Sequence, residues 1–168
     1  AYWAKSEDDG FFMVINGVEA ECINRASDPV ISQDGSQVAW MVEEEGGMFA
    51  VLDGMKGKSY QNIWGLTFSP DGRLAYAASD SRERGFVHIV VVDGQEDQTY
   101  LYNGKGQGIK AGPLFSPEGE HVVYIANDGG EAEYTVVDGV RHLNTWSLLG
   151  GLNWGEGSSI VFDSEERL

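Results

Sequence analysis

At 168 residues, 42% of them apolar and 11% aromatic, the chain is long enough to bury a sizeable core and too apolar for disorder. Its formal net charge of -16 opposes binding to DNA or RNA, because phosphate contacts need clusters of lysine and arginine. No run approaches the roughly eighteen consecutive apolar residues of a membrane span, and a single cysteine, Cys22, excludes an internal disulfide and cysteine-cluster metal sites.

In chain order, the first predicted strand is Tyr2-Trp3-Ala4, followed by the turn at Ile15-Asn16-Gly17 and a strand carrying Cys22, which reads as a buried structural thiol rather than a nucleophile. Ser32-Gln33-Asp34-Gly35 is the next turn. Trp40 lies on the strand after it, and Val51-Leu52-Asp53-Gly54 closes a hairpin. The clearest unit then runs from Leu66 to Tyr100. Strand a (66–68) enters Ser69-Pro70-Asp71-Gly72, where proline presets φ and glycine permits the reversal. Strand b (73–78) alternates Leu74 and Tyr76 with Ala75 and Ala77, so bulky and small residues take opposite faces. Strand c (86–92) is β-branched and aromatic, Asp93-Gly94 is a strong hairpin signal, and strand d covers 98–102. A glycine-rich loop, 103–108, leads into the next unit, with Ser116-Pro117-Glu118-Gly119, Tyr124 and Val137-Asp138-Gly139 at the corresponding places. The last unit has Trp154-Gly155-Glu156-Gly157 and Phe162.

Two turn signals therefore alternate. Gly17, Gly54, Gly94 and Gly139 are 37, 40 and 45 residues apart, and Gly35, Gly72, Gly119 and Gly157 are 37, 47 and 38 apart. Periods of about 40 to 45 residues with four strands each suit a propeller blade. With no comparable helical period, the expectation is an all-β, single-domain β-propeller over 1–168, built from about four four-stranded antiparallel blades. The units are 1–27 (partial), 28–64, 65–110, 111–147 and 148–168 (partial). Four a, four c and four d strands are matched by five b strands, and the chain starts without Met, so a fragment of a longer propeller is expected. A half-blade exposes an unpaired edge, which invites closure or self-association.

Thirteen of the 27 acidic residues fall at the b-to-c turns: Glu7, Asp8, Asp9, Glu43, Glu44, Glu45, Asp80, Glu83, Asp128, Glu131, Asp163, Glu165 and Glu166. In a propeller these turns emerge on one face together with the d-to-a connections. That face would then draw a basic peptide or protein through a salt-sensitive field, or serve only as a solvated surface. Calcium is a further reading of clustered carboxylates, but no EF-hand spacing is present. Trp64, near the start of an a strand, and Trp146, near a d-to-a connection, read either as anchors at the channel rim or as packing between blades. Trp3, Trp40 and Trp154 read as core.

Catalytic motifs are missing from the sequence. Gly57-Lys58-Ser59 lacks the earlier glycine of a P-loop, the glycines of 104–108 do not sit at a strand-to-helix turn, and no nucleophile elbow occurs. His88, His121 and His142 share no ligand pattern. No cofactor, no metal and no enzyme activity are expected.

The segments Phe68-Ser69-Pro70-Asp71-Gly72 and Phe115-Ser116-Pro117-Glu118-Gly119, with the aromatic strands that follow, resemble TolB-like or WD-like β-propeller repeats. The resemblance covers nearly the whole chain. It departs at Gln33, in the place of proline, and at the last unit, which lacks the Ser-Pro pair; the Trp-Asp dipeptide of WD repeats is absent. It implies a propeller that binds protein partners through one face or the channel mouth, or one that gates the catalytic domain of a hydrolase, and it leans towards a periplasmic location. The leading expectation is a non-catalytic binding module with an acidic face for a basic peptide or protein. The alternative is a lid or accessory domain of a peptidase or other hydrolase whose catalytic domain lies outside this chain.

Overall fold

A computed structural model describes residues 1–5, 11–15, 17–22, 25–102, 107–129 and 133–142, and every regular element among them is a β-strand. Strands β1 (Tyr2–Lys5), β2 (Phe11–Ile15) and β3 (Val18–Cys22) form the first antiparallel sheet in chain order. In the second, β4 (Arg25–Ala26) and β5 (Val30–Ile31) lie along one edge of β6 (Val38–Glu44), followed by β7 (Gly47–Leu52) and β8 (Met55–Tyr60). The third is β9 (Asn62–Phe68), β10 (Leu74–Arg82), β11 (Gly85–Val92) and β12 (Gln95–Leu101). The fourth is β13 (Gly108–Phe115), β14 (Val122–Asn127), β15 (Tyr134–Val137) and β16 (Val140–His142). Because β4 and β5 are two pieces of one edge, the second, third and fourth sheets all follow the expected a-b-c-d order, and the first shows b, c and d. The fifth b strand expected at 160–162, with Trp154 and Phe162, lies outside the described residues.

The two recurring turns occupy the same end of each sheet, and hydrogen bonds explain why both recur. Ser32, Ser69 and Ser116, all buried, accept the N–H of Gln37, Arg73 and His121 on Oγ at 2.9, 2.8 and 3.2 Å, which closes the a-to-b turn. One residue further, strand b begins. There the N–H of Val38, Leu74 and Val122 donates to the carboxylate of Asp53, Asp93 and Asp138 at 2.8, 3.0 and 2.9 Å. Each aspartate also adopts a positive φ, between 48° and 50°, as the first central residue of a type I′ hairpin requires. The Asp-Gly pair is therefore both a turn and a clasp that ties hairpin c-d to the start of strand b.

The a strands are longer than the sequence indicates: β9 starts at Asn62 rather than 66, and β13 at Gly108, so both cross the expected unit boundaries at 65 and 111. A glycine in a left-handed conformation hides the two-residue period. Gly65 (φ 69°) and Gly112 (φ 83°) sit where the register to strand b slips. A Cβ on Gly65 would lie 3.2 Å from the Gly112 carbonyl oxygen, so β9 and β13 approach backbone to backbone. Strand β9 also touches β5, which places the a strands of successive sheets together.

Sheets stack in chain order through three apolar clusters. Met13 meets Val38, Trp40 and Val42 between the first and second sheets. Ala39, Ala50 and Tyr60 meet Leu74, Tyr76 and Ile89 between the second and third, and Ala77, Val90 and Tyr100 meet Tyr124, Ala126 and Val136 between the third and fourth. The alternation along strand b has a direction: Trp40, Tyr76 and Tyr124 face the preceding sheet, while Ala39 and Ala77 face the next. The strand-d tyrosine of one sheet thus meets the strand-b tyrosine of the next edge to face, Tyr60 on Tyr76 at 6.3 Å and Tyr100 on Tyr124 at 5.9 Å. Such pairs contribute about 0.5–1.5 kcal/mol beyond area burial. The Tyr100 and Tyr124 hydroxyls also bond each other at 2.9 Å, which satisfies both in the interior.

Polar groups reinforce the second interface. Glu96 on β12 accepts from Lys58 Nζ (2.7 Å) and Tyr60 Oη (3.0 Å) of the second sheet and from Arg82 Nη2 (2.7 Å) of its own. Its carboxyl is lowered from 4.5 to about 2, chiefly by the Arg82 guanidinium and then by Lys58 and Tyr60.

Asp53→Ala removes both the left-handed tolerance and the clasp on Val38, and is expected to cost about 2 kcal/mol in urea unfolding. Asp53→Asn keeps both features and should recover most of that loss; equal stability of the alanine variant and the parent would contradict the clasp. For Glu96 the folded value is depressed, so its contribution is present above pH 4.5 and drains as pH falls towards about 2. In thermal melts Glu96→Gln should therefore be less stable than the parent at neutral pH, with the gap closing through that window. A gap that stays constant would argue against the ion network.

Candidate functional site

The end of the sheets opposite the Asp-Gly clasps carries the b-to-c turns and the d-to-a links. Between the second and third sheets the link is the single residue Gln61, between Tyr60 and Asn62. Its N–H donates to the Ser79 carbonyl (2.9 Å) and its side chain to Ser81 Oγ (2.9 Å), so β10 holds this corner in place. Two hollows flank it, both walled by Gln61 and Asn62.

The first hollow, about 560 Å³, is bounded by Ser27, Met41, Glu43, Glu44, Gly47 and Met48 in addition. Its floor is set by the interruption between β4 and β5. Ser27 fills that gap by accepting the Met41 N–H on Oγ at 3.0 Å while its own N–H donates to the Met41 carbonyl at 3.0 Å. Glu43 and Glu45 are exposed at the turn, and Glu44 is ion-paired with Lys56. Among the described side chains this corner sets Glu43, Glu44 and Glu45 against the Lys56 ammonium, while the backbone of Arg25 on β4 pairs opposite Glu43.

The second hollow, about 540 Å³, is aromatic. Trp64, Phe86, His88, Tyr102 and Ile109 form its walls, with Ser79 beside Gln61 and Asn62. His88 stacks on Tyr102 at 4.5 Å and 12°, and Trp64 meets His88 edge to face at 5.0 Å. Burial pushes His88 below the usual histidine value of 6.5, and the Lys110 charge acts in the same direction. The Ile109 N–H points at Nδ1 from 3.1 Å, which needs the ring lone pair there and leaves the proton on Nε2. The rings are fixed by strand geometry: Phe86 and His88 alternate on one face of β11, and Tyr102 is tied by its N–H to the Phe86 carbonyl at 2.8 Å.

Placement of the sequence-derived candidates is uneven. Glu43 and Glu44 border a hollow, and Glu45 stands beside them. The turn at 80–84 is not a negative corner: Asp80 lies 3.8 Å from Arg82, and Glu83 is followed by Arg84. Asp128 pairs with Arg141 at 2.7 Å. Glu7, Asp8, Asp9, Glu131, Asp163, Glu165, Glu166 and Trp146 lie outside the described residues, as does the side chain of Cys22 on β3. Trp64 packs on the cluster between the third and fourth sheets and also lines the aromatic hollow. Phe86, His88 and Tyr102 escaped the sequence reading as site residues; their only mark was an aromatic–histidine alternation ending in another aromatic at the d-to-a link.

His88, His121 and His142 lie on different strands or turns. The His121 ring bonds Asp138 at 2.6 Å, while nearby Ser116 Oγ accepts the backbone N–H of His121, an arrangement that fastens the turn. Among the described residues no group of three or more histidine, cysteine, aspartate or glutamate side chains is placed to hold a metal ion. No protein-family model matches the chain, and no curated protein sequence matches it.

Because its folded value is depressed, the stability attached to neutral His88 is present above pH 6.5 and is lost as pH falls through the folded value. An NMR titration should give a His88 midpoint below 6.5. A midpoint above it would show that the ring is not held neutral by its surroundings.

Proposed function

We propose that this chain is a non-catalytic binding module, a TolB-like β-propeller whose acidic corner at 43–45 receives a basic peptide or protein. Three features support the propeller form: sheets that stack in chain order, small residues facing forward along strand b, and a strands that touch one another. Equivalent corners then gather on one face. The observation that carries the binding reading is the hollow bordered by Glu43 and Glu44, open beside the exposed Glu45 and adjoining a second, aromatic hollow across Gln61. A concave surface with negative rim charge and apolar walls suits an extended cationic segment: the field raises the encounter rate and the walls slow release.

The test is binding of a fluorescein-labelled lysine- and arginine-rich peptide at low ionic strength. Glu43→Lys with Glu45→Lys leaves the Glu44–Lys56 pair in place and should weaken binding at least about tenfold without lowering the melting temperature. Added salt should weaken the parent in the same direction. Unchanged affinity in the double variant would remove the proposal.

A further inference from the structure

We infer that the hollow formed by Trp64, Phe86, His88 and Tyr102 is a specificity pocket that seats one aromatic side chain of the partner, next to the basic residues held at Glu43 and Glu44. The inference rests on the acidic-corner reading and adds the chemistry of the neighbouring position. Its basis is the shared wall: Gln61 and Asn62 border both hollows, so a segment lying on the acidic one reaches the aromatic one over this corner, at the start of the third sheet.

The walls select the occupant. Tyr102 is 38% exposed although it is a large ring in contact with Phe86 and His88, so part of the cluster is left open to solvent. Mixed edges and faces, with rings 4.5 to 6.2 Å apart, offer an entering ring both stacked and edge-on contacts. A second ammonium group is a poorer fit. Lys110 follows Ile109 on β13, and its charge already acts against a positive charge on His88. Charge thus falls from negative at 43–45 to positive at Lys110, which orients a peptide with its basic run on the glutamates and a neutral ring over Trp64. The exposed Asn62 side chain supplies a polar group at the rim.

The experiment compares two labelled peptides in anisotropy titrations: a basic run followed by one phenylalanine, tried at successive positions, and the same peptides with glycine in its place. For the parent chain, the best phenylalanine peptide should bind about tenfold tighter than its glycine counterpart. Tyr102→Ala should abolish that preference while leaving affinity for the glycine peptide unchanged. Phe86→Ala, which removes a second wall of this hollow and lies outside the acidic one, should do the same, and both variants are checked by thermal melting. Equal affinity of the parent for both peptides, or a preference that survives both variants, would overturn the pocket while leaving the acidic corner standing. Binding of neither peptide would overturn both.

Discussion

The fold depends on one repeated hydrogen bond, from the first amide of strand b to the aspartate of the c-to-d hairpin. Val38, Leu74 and Val122 make it to Asp53, Asp93 and Asp138, and in each case the preceding amide bonds the serine of the a-to-b turn. The clasp fixes where strand b starts relative to strands a and c. In strands, a slip of one residue would turn every side chain to the other face. Here that slip would send Trp40, Tyr76 and Tyr124 towards the following sheet and the small residues Ala39 and Ala77 towards the preceding one. Each bond is worth only about 1 kcal/mol net, yet the register it sets decides whether neighbouring sheets can stack at all.

Stacking then carries the larger share of the energy and creates the site. Each strand-d tyrosine, Tyr60 or Tyr100, leans on the strand-b tyrosine of the following sheet, and Glu96 ties Lys58 and Tyr60 to Arg82 across one of these interfaces. Lys58 and Arg82, the charged partners of Glu96, remain partly exposed, so the ion pairs add orientation more than stability. With one end of the sheets occupied by clasps, the other is free for wider turns and links. That is where Glu43, Glu44 and the rings around His88 come to lie.

Much of the strand pattern was legible because turn chemistry is local. Asp-Gly demands positive φ at both positions, and Ser-x-Asp-Gly closes on its own hydroxyl, so both signals survive without knowledge of the tertiary structure. The alternation of Leu74 and Tyr76 with Ala75 and Ala77 was legible for the same reason. Gly65 and Gly112 were not, since their left-handed bulges break the two-residue period and answer to a neighbouring strand rather than to their own. The acidic turns were found as composition, but composition could not tell that Asp80 and Asp128 have arginine partners while Glu43 and Glu45 stand exposed. The aromatic hollow needed β9, β10, β11, β13 and the residue after β12 to meet; no spacing along the chain announces that. The paired tyrosines at Tyr60 and Tyr100 did leave a trace, six residues after Gly54 and Gly94 in both units.

The proposed binding places the partner at the end of the sheets opposite the clasps. The most direct measurement is amide and indole chemical-shift mapping while a basic peptide is titrated into the labelled protein. The account predicts that shifts cluster at Glu43, Glu44, Gln61, Asn62 and the Trp64 indole, and that the amides of Val38, Leu74 and Val122 stay still. Shifts centred on the clasp end, at Asp53, Asp93 and Asp138, would contradict it.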